Sequence, residues 1–307
     1  MDAARLHPEL RSIFRFVPNL PIGAPWRIRG IRKAMSLLPA FAVPSGMRLE
    51  IVDLAPGAGV RVFTPTGGGN GAALLFIHGG GMVIGSASQE DARCAQIAED
   101  LGVIVVSVEH RLAPEHAFPA PMDDCFAAWQ WLQREAPARG IDPARIAIGG
   151  QSAGGGLAAG LAQRLRDESE VQPVAQWLFC PMLDDRTAAR PELDLLDHFL
   201  WNNGSNLVGW RSYLGAEPGQ DTAPAYAAPS RRSDLAGLPP AWIGTGEIEL
   251  FFEEDRAYAA ALDAAGVECT LDAVPGAPHA FESVGAATSV ARDYSARAQA
   301  WLRARLT

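Results

Sequence analysis

The chain has 307 residues, of which 48% are apolar, and a formal net charge of −9. That length suits one large α/β domain carrying an added segment, because a single core stops growing near this size, and the apolar share excludes a disordered chain. The acidic balance, with no basic cluster beyond Arg164/Arg166 and Arg231/Arg232, excludes a nucleic-acid-binding face.

Residues 1–45 are irregular, with Pro8, Pro18, Pro21, Pro25, Pro39 and Pro44 breaking any long element. Large apolar residues are scattered through them: Leu10, Phe14, Phe16, Trp26, Leu37, Leu38 and Phe41. The pattern predicts short helices packed on another surface. Met1 to Pro18 has no apolar core flanked by basic residues, so no signal peptide is expected and the expected location is cytoplasmic. No stretch of the chain approaches the roughly 20 apolar residues of a membrane span.

From residue 46 strand patterns begin. Leu49–Leu54 and Gly59–Thr64 flank the turn Pro56-Gly57 and predict an antiparallel edge. Predicted strands then follow at Ala73–Ile77, Val103–Val108, Ile146–Gly149, Ala175–Cys180, Ala241–Thr245 and Glu268–Val274. Between and after them lie helical patterns near Gln89–Leu101, Met122–Glu135, Ala153–Asp167, Phe252–Ala265 and Ser289–Leu306. In the last, Val290, Tyr294, Trp301 and Leu302 share a face. The inner strands are continuously apolar, as a parallel sheet covered on both sides requires. Strand–helix alternation of this kind predicts an α/β fold with a mostly parallel, doubly wound sheet.

Residues 184–228 interrupt the alternation, far exceeding a usual connection of roughly 2–6 residues. They carry Phe199, Leu200, Trp201, Trp210, Tyr213 and Leu214, which suits a lid over the carboxyl end of the sheet. The plainer alternative is an excursion that buries its own aromatics. Cys94, Cys125, Cys180 and Cys269 form no CxxC pair and match no metal-ligand spacing. Most fall in predicted helices or strands, where cysteine acts as a small buried apolar residue, and reduced thiols fit a cytosolic protein.

Two glycine motifs carry the chemistry. His78-Gly79-Gly80-Gly81 directly follows the strand Ala73–Ile77, and Gly150-Gln151-Ser152-Ala153-Gly154-Gly155 directly follows Ile146–Gly149. A serine between glycines at a strand-to-helix turn projects its hydroxyl from the sheet edge, and the helix that follows points its N-terminal amides at any developing anion. The alternative is a glycine-rich turn in which Ser152 simply caps the helix. The earlier loop supplies what acyl transfer needs beside a nucleophile. Adjacent glycines let backbone N–H groups approach the oxygen on which charge develops, which assigns Gly80 and Gly81, with the Ala153 N–H as third donor. His78 precedes these glycines and is read as holding the loop.

The base must then be a histidine downstream of Ser152. His7 and His198 lie in irregular segments, and His110 and His116 precede the serine. His279, in the loop after the last strand, completes the order serine, acid, histidine. The acid belongs after Ala241–Thr245, where Glu247, Glu249, Glu253, Glu254 and Asp255 compete. Most acidic residues at a helix start are simply solvated, and spacing alone does not choose among them.

The chain resembles the hormone-sensitive-lipase-like family of α/β-hydrolases, the bacterial group IV esterases. The resemblance rests on His78–Gly81, on Glu109-His110-Arg111-Leu112-Ala113-Pro114-Glu115-His116-Ala117-Phe118-Pro119-Ala120, on Gly150–Gly155, and on Pro275-Gly276 through His279-Ala280-Phe281. It implies an α/β-hydrolase fold with a helical lid and a serine carboxylesterase acting on small acyl esters through an acyl-enzyme. The implied layout is 1–45 as the N-terminal part of the lid, 46–183 and 229–307 as the two parts of the core, and 184–228 as the lid insertion. The implied triad is Ser152, Glu249 and His279, with Glu249 placed by aligning Ala257-Tyr258-Ala259 and Glu253 at the family's second acidic position.

The chain departs from the family pattern at four positions: Gln151 and Glu249 each stand where aspartate is usual, Ala280 where glycine is common, and His110 where tyrosine is common. No metal or organic cofactor is implied. The only partner implied is the small-molecule ester, with self-association into a homo-oligomer left open. Two rivals are a non-catalytic small-ligand-binding protein on the same fold, against which His279 argues, and an amidase or peptidase.

Overall fold

The computed structural model describes all residues except 1, 2, 18, 20, 21, 24, 38–40 and 197. Eight strands form one sheet: β1 (Met47–Ala55), β2 (Ala58–Pro65), β3 (Ala73–Ile77), β4 (Ile104–Glu109), β5 (Ile146–Gln151), β6 (Gln176–Phe179), β7 (Ala241–Gly246) and β8 (Cys269–Val274). Their spatial order is β1-β2-β4-β3-β5-β6-β7-β8. β1 and β2 pair antiparallel around the turn at Gly57, β2 is antiparallel to β4, and β4, β3, β5, β6, β7 and β8 run parallel. The predicted antiparallel edge and parallel centre are thus both present.

The helices are α1 (Arg11–Phe14), α2 (Pro25–Ser36), α3 (Asp91–Leu101), α4 (Ala120–Glu135), α5 (Ala153–Glu168), α6 (Asp185–Ala188), α7 (Asn203–Leu214), α8 (Phe252–Ala264), α9 (Phe281–Val284) and α10 (Ser289–Arg305). The alternation of side chains along a strand explains how they are divided. In β3, Ala73, Leu75 and Ile77 pack with α4, α5 and α8 on one face, while Leu74 and Phe76 pack with α3 and α10 on the other. The face that α10 buries is Ala291, Tyr294, Ala298 and Leu302. Val290 and Trp301, expected on it, are only half-buried. The alanines let the helix sit close to the sheet, and a search for large apolar residues passes over them.

The N-terminal segment divides in the same way. Leu6, Leu10 and Phe14 are buried on the α10 side, where Phe14 meets Phe199 edge-on at 6.3 Å. α2 packs through Ile28 on the opposite side, and Arg32 pins it there, donating to Val83 O at 2.7 Å and Ala113 O at 2.6 Å. Phe16, Trp26 and Leu37, expected to pack, are exposed. Pro18, Pro21, Leu38 and Pro39 lie outside the described residues.

Candidate active site

The site lies at the carboxyl ends of β3, β5, β7 and β8, where an open parallel sheet presents its loops. Ser152 is the hinge residue between β5 and α5, with φ 56° and ψ −121°. This backbone conformation is costly for a residue with a side chain. It is fixed from several sides: Ser152 N donates to Phe179 O at 2.8 Å, and Ser152 O accepts from Met182 N and Gly156 N, each at 3.0 Å. The turn also needs Gly154, since a Cβ there would stand 2.1 Å from Ile77 O. Ser152 occupies the cap position of α5, yet its side chain caps nothing. The hydroxyl instead lies 3.0 Å from His279 Nε2.

His279 is held by its other nitrogen. Nδ1 stands 2.7 Å from Glu249 Oε2. A carboxylate only accepts, so Nδ1 carries the proton and the Nε2 lone pair faces the serine. Thr245, the penultimate residue of β7, donates its hydroxyl to Glu249 Oε1 at 2.8 Å. Both carboxylate oxygens therefore have a donor, and all three side chains are buried. Among the competing carboxylates, Glu247 is exposed and Glu253 pairs at the surface with Arg256. Glu254 is buried and accepts from Leu183 N at 2.7 Å, away from His279. Asp255 is fully buried, and desolvation, then the charge of Glu249, raise its pKa well above its ordinary value.

The loop after β3 forms the facing wall. Gly81 has φ +58°, and a Cβ on it would fall 2.2 Å from the Trp201 ring. Only glycine fits this approach. Among the described residues, Gly80 N and Gly81 N donate no backbone hydrogen bond, while Gly80 O accepts from Val83 N and Ile84 N. Ala153 opens α5, where the first N–H groups have no intrahelical partner. The three expected donors thus stand on two elements that meet at Ser152.

His78 is buried behind this loop. Its Nδ1–H donates to Gly79 O at 2.8 Å, and its ring stacks on His110 with centroids 4.1 Å apart. Burial depresses both imidazoles, His78 to about 4 and His110 to about 3, so the pair is neutral. His78 has the loop-holding place expected of it, remote from the role of base.

The motif Glu109–Ala120 owes its place to contacts that the sequence alone does not reveal. Ala113 N donates to Met82 O at 2.9 Å, and Phe118 N donates to Tyr213 O at 2.7 Å. The segment therefore ties the glycine loop to α7 of the insertion. Gln151 is a second such contact. Its side-chain amide donates to Glu282 Oε1 at 2.5 Å and Ser283 Oγ at 2.9 Å, joining the serine turn to the histidine loop. Thr245, Gln151, Glu282 and Trp201 were not among the expected site residues. The signal for Thr245, Gln151 and Glu282 is their place beside the glycines, the acid and the base, and that for Trp201 is its place among the aromatics of the 184–228 stretch.

A cavity of about 190 Å³ opens on Ser152 and His279. Met35 of α2 and Leu200 and Trp201 of the insertion line it together with the glycine loop.

A family model of the alpha/beta hydrolase fold matches residues 74–283. The chain belongs to the hormone-sensitive-lipase-like esterases of that fold. An ethyl acetate hydrolase from Pseudomonas putida is 35% identical to this esterase, the match covering 70% of this chain and 67% of the relative. The carboxylesterase NlhH of Mycobacterium tuberculosis is 33% identical, with 90% of this chain and 87% of the relative covered. Among solved structures, a bacterial heroin esterase superposes on this esterase with a TM-score of 0.89 at 37% identity, covering 100% of both chains.

Proposed function

We propose that the chain hydrolyses small carboxylic esters with Ser152 as nucleophile, His279 as general base and acid, and Glu249 as the group that orients His279. The observation that carries this reading is the continuous relay Ser152–His279–Glu249, at 3.0 Å and 2.7 Å. Ser152 Oγ attacks the ester carbonyl as Nε2 of His279 takes its proton. The developing imidazolium keeps its Nδ1–H on Glu249, which lowers the cost of forming that charge. The N–H groups of Gly80, Gly81 and Ala153 receive the oxyanion. His279 then protonates the departing alcohol. Water, deprotonated by the same Nε2, attacks the acyl-serine and releases the acid.

The relatives' names support the ester as substrate, and a fold neighbour, EstE5, was soaked with p-nitrophenyl butyrate at 27% identity and a TM-score of 0.79. We further propose that residues 1–45 and 184–228 act as a lid bounding the acyl pocket, supported by Met35, Leu200 and Trp201 on its wall. Cytoplasmic residence is proposed as well, supported by four free cysteines. No described helix is long and apolar enough to cross a membrane.

A p-nitrophenyl ester series tests the reading, alongside labelling by a serine-directed phosphonate. Turnover of short-chain esters, with the label on Ser152 alone and lost in Ser152→Ala, is the expected outcome. Ser152→Ala should lower kcat by about 10⁴-fold or more. Labelling of another serine would overturn Ser152 as nucleophile, and stoichiometric ligand binding without turnover would favour the non-catalytic alternative.

A further inference from the structure

The wall of the Ser152 cavity carries one charge that the ester mechanism does not use. Glu90, the last residue of a single 3₁₀ turn leading into α3, lines the cavity together with Ser152, His279 and Trp201. Among the described residues its carboxylate has no hydrogen bond and no ion pair, although every charge around it has one. Asp91 is held by Arg61 Nε at 2.7 Å. Arg93, one turn on, lies over the rings of Phe179 and Phe76 at 4.4 and 5.1 Å, with its guanidinium 3.7 Å from Glu282. Glu282 itself accepts from Gln151.

Among the described residues no lysine or arginine lines the cavity, and the imidazole of His78 behind its wall is neutral. Burial, with the added repulsion of Glu282 and Asp91, raises the pKa of Glu90 against the opposing pull of Arg93. Glu90 is half-buried; a carboxylate partly withdrawn from water without a partner carries a desolvation cost, and a cation in the cavity would relieve it. Trp201 adds an indole ring to the same cavity, and aromatic faces attract ammonium groups.

Building on the esterase reading above, we propose that Glu90 sets specificity for esters whose alcohol or acyl arm carries an ammonium group. The carboxylate of Glu90 and the ring of Trp201 receive the cation while the ester carbonyl sits at Ser152.

Two pairs of substrates test this. One compares a choline ester with the neutral ester in which carbon replaces the nitrogen. The other compares p-nitrophenyl esters of a trimethylammonio-alkanoic acid and of its carbon isostere. The expected result is a kcat/KM ratio of cationic to neutral ester on the order of ten in at least one pair, the scale of one charge pair in a partly screened site. Glu90→Gln should bring that ratio to about one, and Glu90→Asp should restore part of it. The wild-type ratio should rise with pH as Glu90 ionises. Equal kinetics within both pairs, or a preference that survives Glu90→Gln, would overturn the proposal.

Calorimetry of the same ligands on Ser152→Ala protein reads the cation preference without turnover. Failure of all esters to turn over would strike at the esterase reading, while equal calorimetric affinities would strike at Glu90.

Discussion

The cavity around Ser152 has a floor and a roof built on different principles. The floor is made of strand ends, where Ser152, Thr245, Glu249 and His279 are locked by hydrogen bonds of 2.7 to 3.0 Å. The roof includes Met35 of α2 and Leu200 and Trp201 of the 184–228 stretch, held by side-chain packing and a few tethers such as Arg32 on Val83 O and Trp201 on Gly81. Chemistry needs atoms fixed to within tenths of an ångström, which a sheet supplies. Selection among substrates needs a wall that can change without disturbing those atoms. Floor and roof should therefore answer differently to mutation.

The largest effect expected after loss of Ser152, the proposed nucleophile, is on the floor. Glu249→Gln should leave the fold intact and lower kcat by about 10³- to 10⁴-fold, because the amide favours the wrong imidazole tautomer. Glu247→Gln, at an exposed position two residues away, should change kcat less than about twofold, as surface substitutions generally do. If the two results were exchanged, the register of this segment would be wrong.

The roof should respond in selectivity. Trp201→Ala removes the ring over Gly81 and widens the cavity. We expect the preferred acyl chain to lengthen, with KM for short esters rising less than about tenfold and kcat little changed, as loss of uniform binding does. An unchanged chain-length profile would show that the roof does not bound the acyl pocket.

The buried imidazoles behind the glycine loop give a smaller, pH-dependent effect. His78 and His110 fall from 6.5 to about 4 and about 3 on burial. The unfolded chain therefore binds more protons between those values. Their neutral burial favours the fold fully above about 6.5, and this is lost as pH falls toward about 3. Glu254 and Asp255, whose pKa values are raised by burial, act in the opposite sense, favouring the fold at low pH and losing that contribution as pH rises. The difference between two proteins isolates His110: His110→Phe should lose less Tm than the parent between about pH 7 and 5.

The smallest effect concerns the loop that carries His279. Ala280 has φ 54° and ψ 30°, a left-handed conformation that costs a residue with a Cβ about 1 kcal/mol. Ala280→Gly should raise stability by about 0.5 kcal/mol once the greater freedom of the unfolded glycine is counted, read as a higher urea midpoint at unchanged slope.

The same division governs what the sequence discloses. The floor is legible because strands and glycine turns leave local signals. The run Ala73–Ile77 matches β3 at both ends, and the two glycine motifs fall where the chain must turn without a Cβ. The acid is less legible. Five carboxylates crowd one helix start, and what separates Glu249 from Glu247 is the direction of a side chain across to a loop thirty residues on. The roof is least legible. α7 was not foreseen, since Asn203–Leu214 has almost no amphipathic period: its residues pack on several partners at once, among them Gly81 and Phe118. Phe16 and Trp26 are apolar yet exposed, and composition could not separate them from Leu10 and Phe14.

The meeting of Trp201 with Gly81 also restricts which parts can be exchanged between relatives. A chimera that grafts a foreign 184–228 segment onto this core imports whatever that segment seats above position 81. A shape other than an indole leaves the loop unsupported or pushes into it, and a core with alanine at 81 has no room for this tryptophan. The two positions behave as one inherited unit. Recombination breakpoints that separate them should yield folded proteins with a displaced oxyanion loop, whereas breakpoints that exchange both together should transfer selectivity intact.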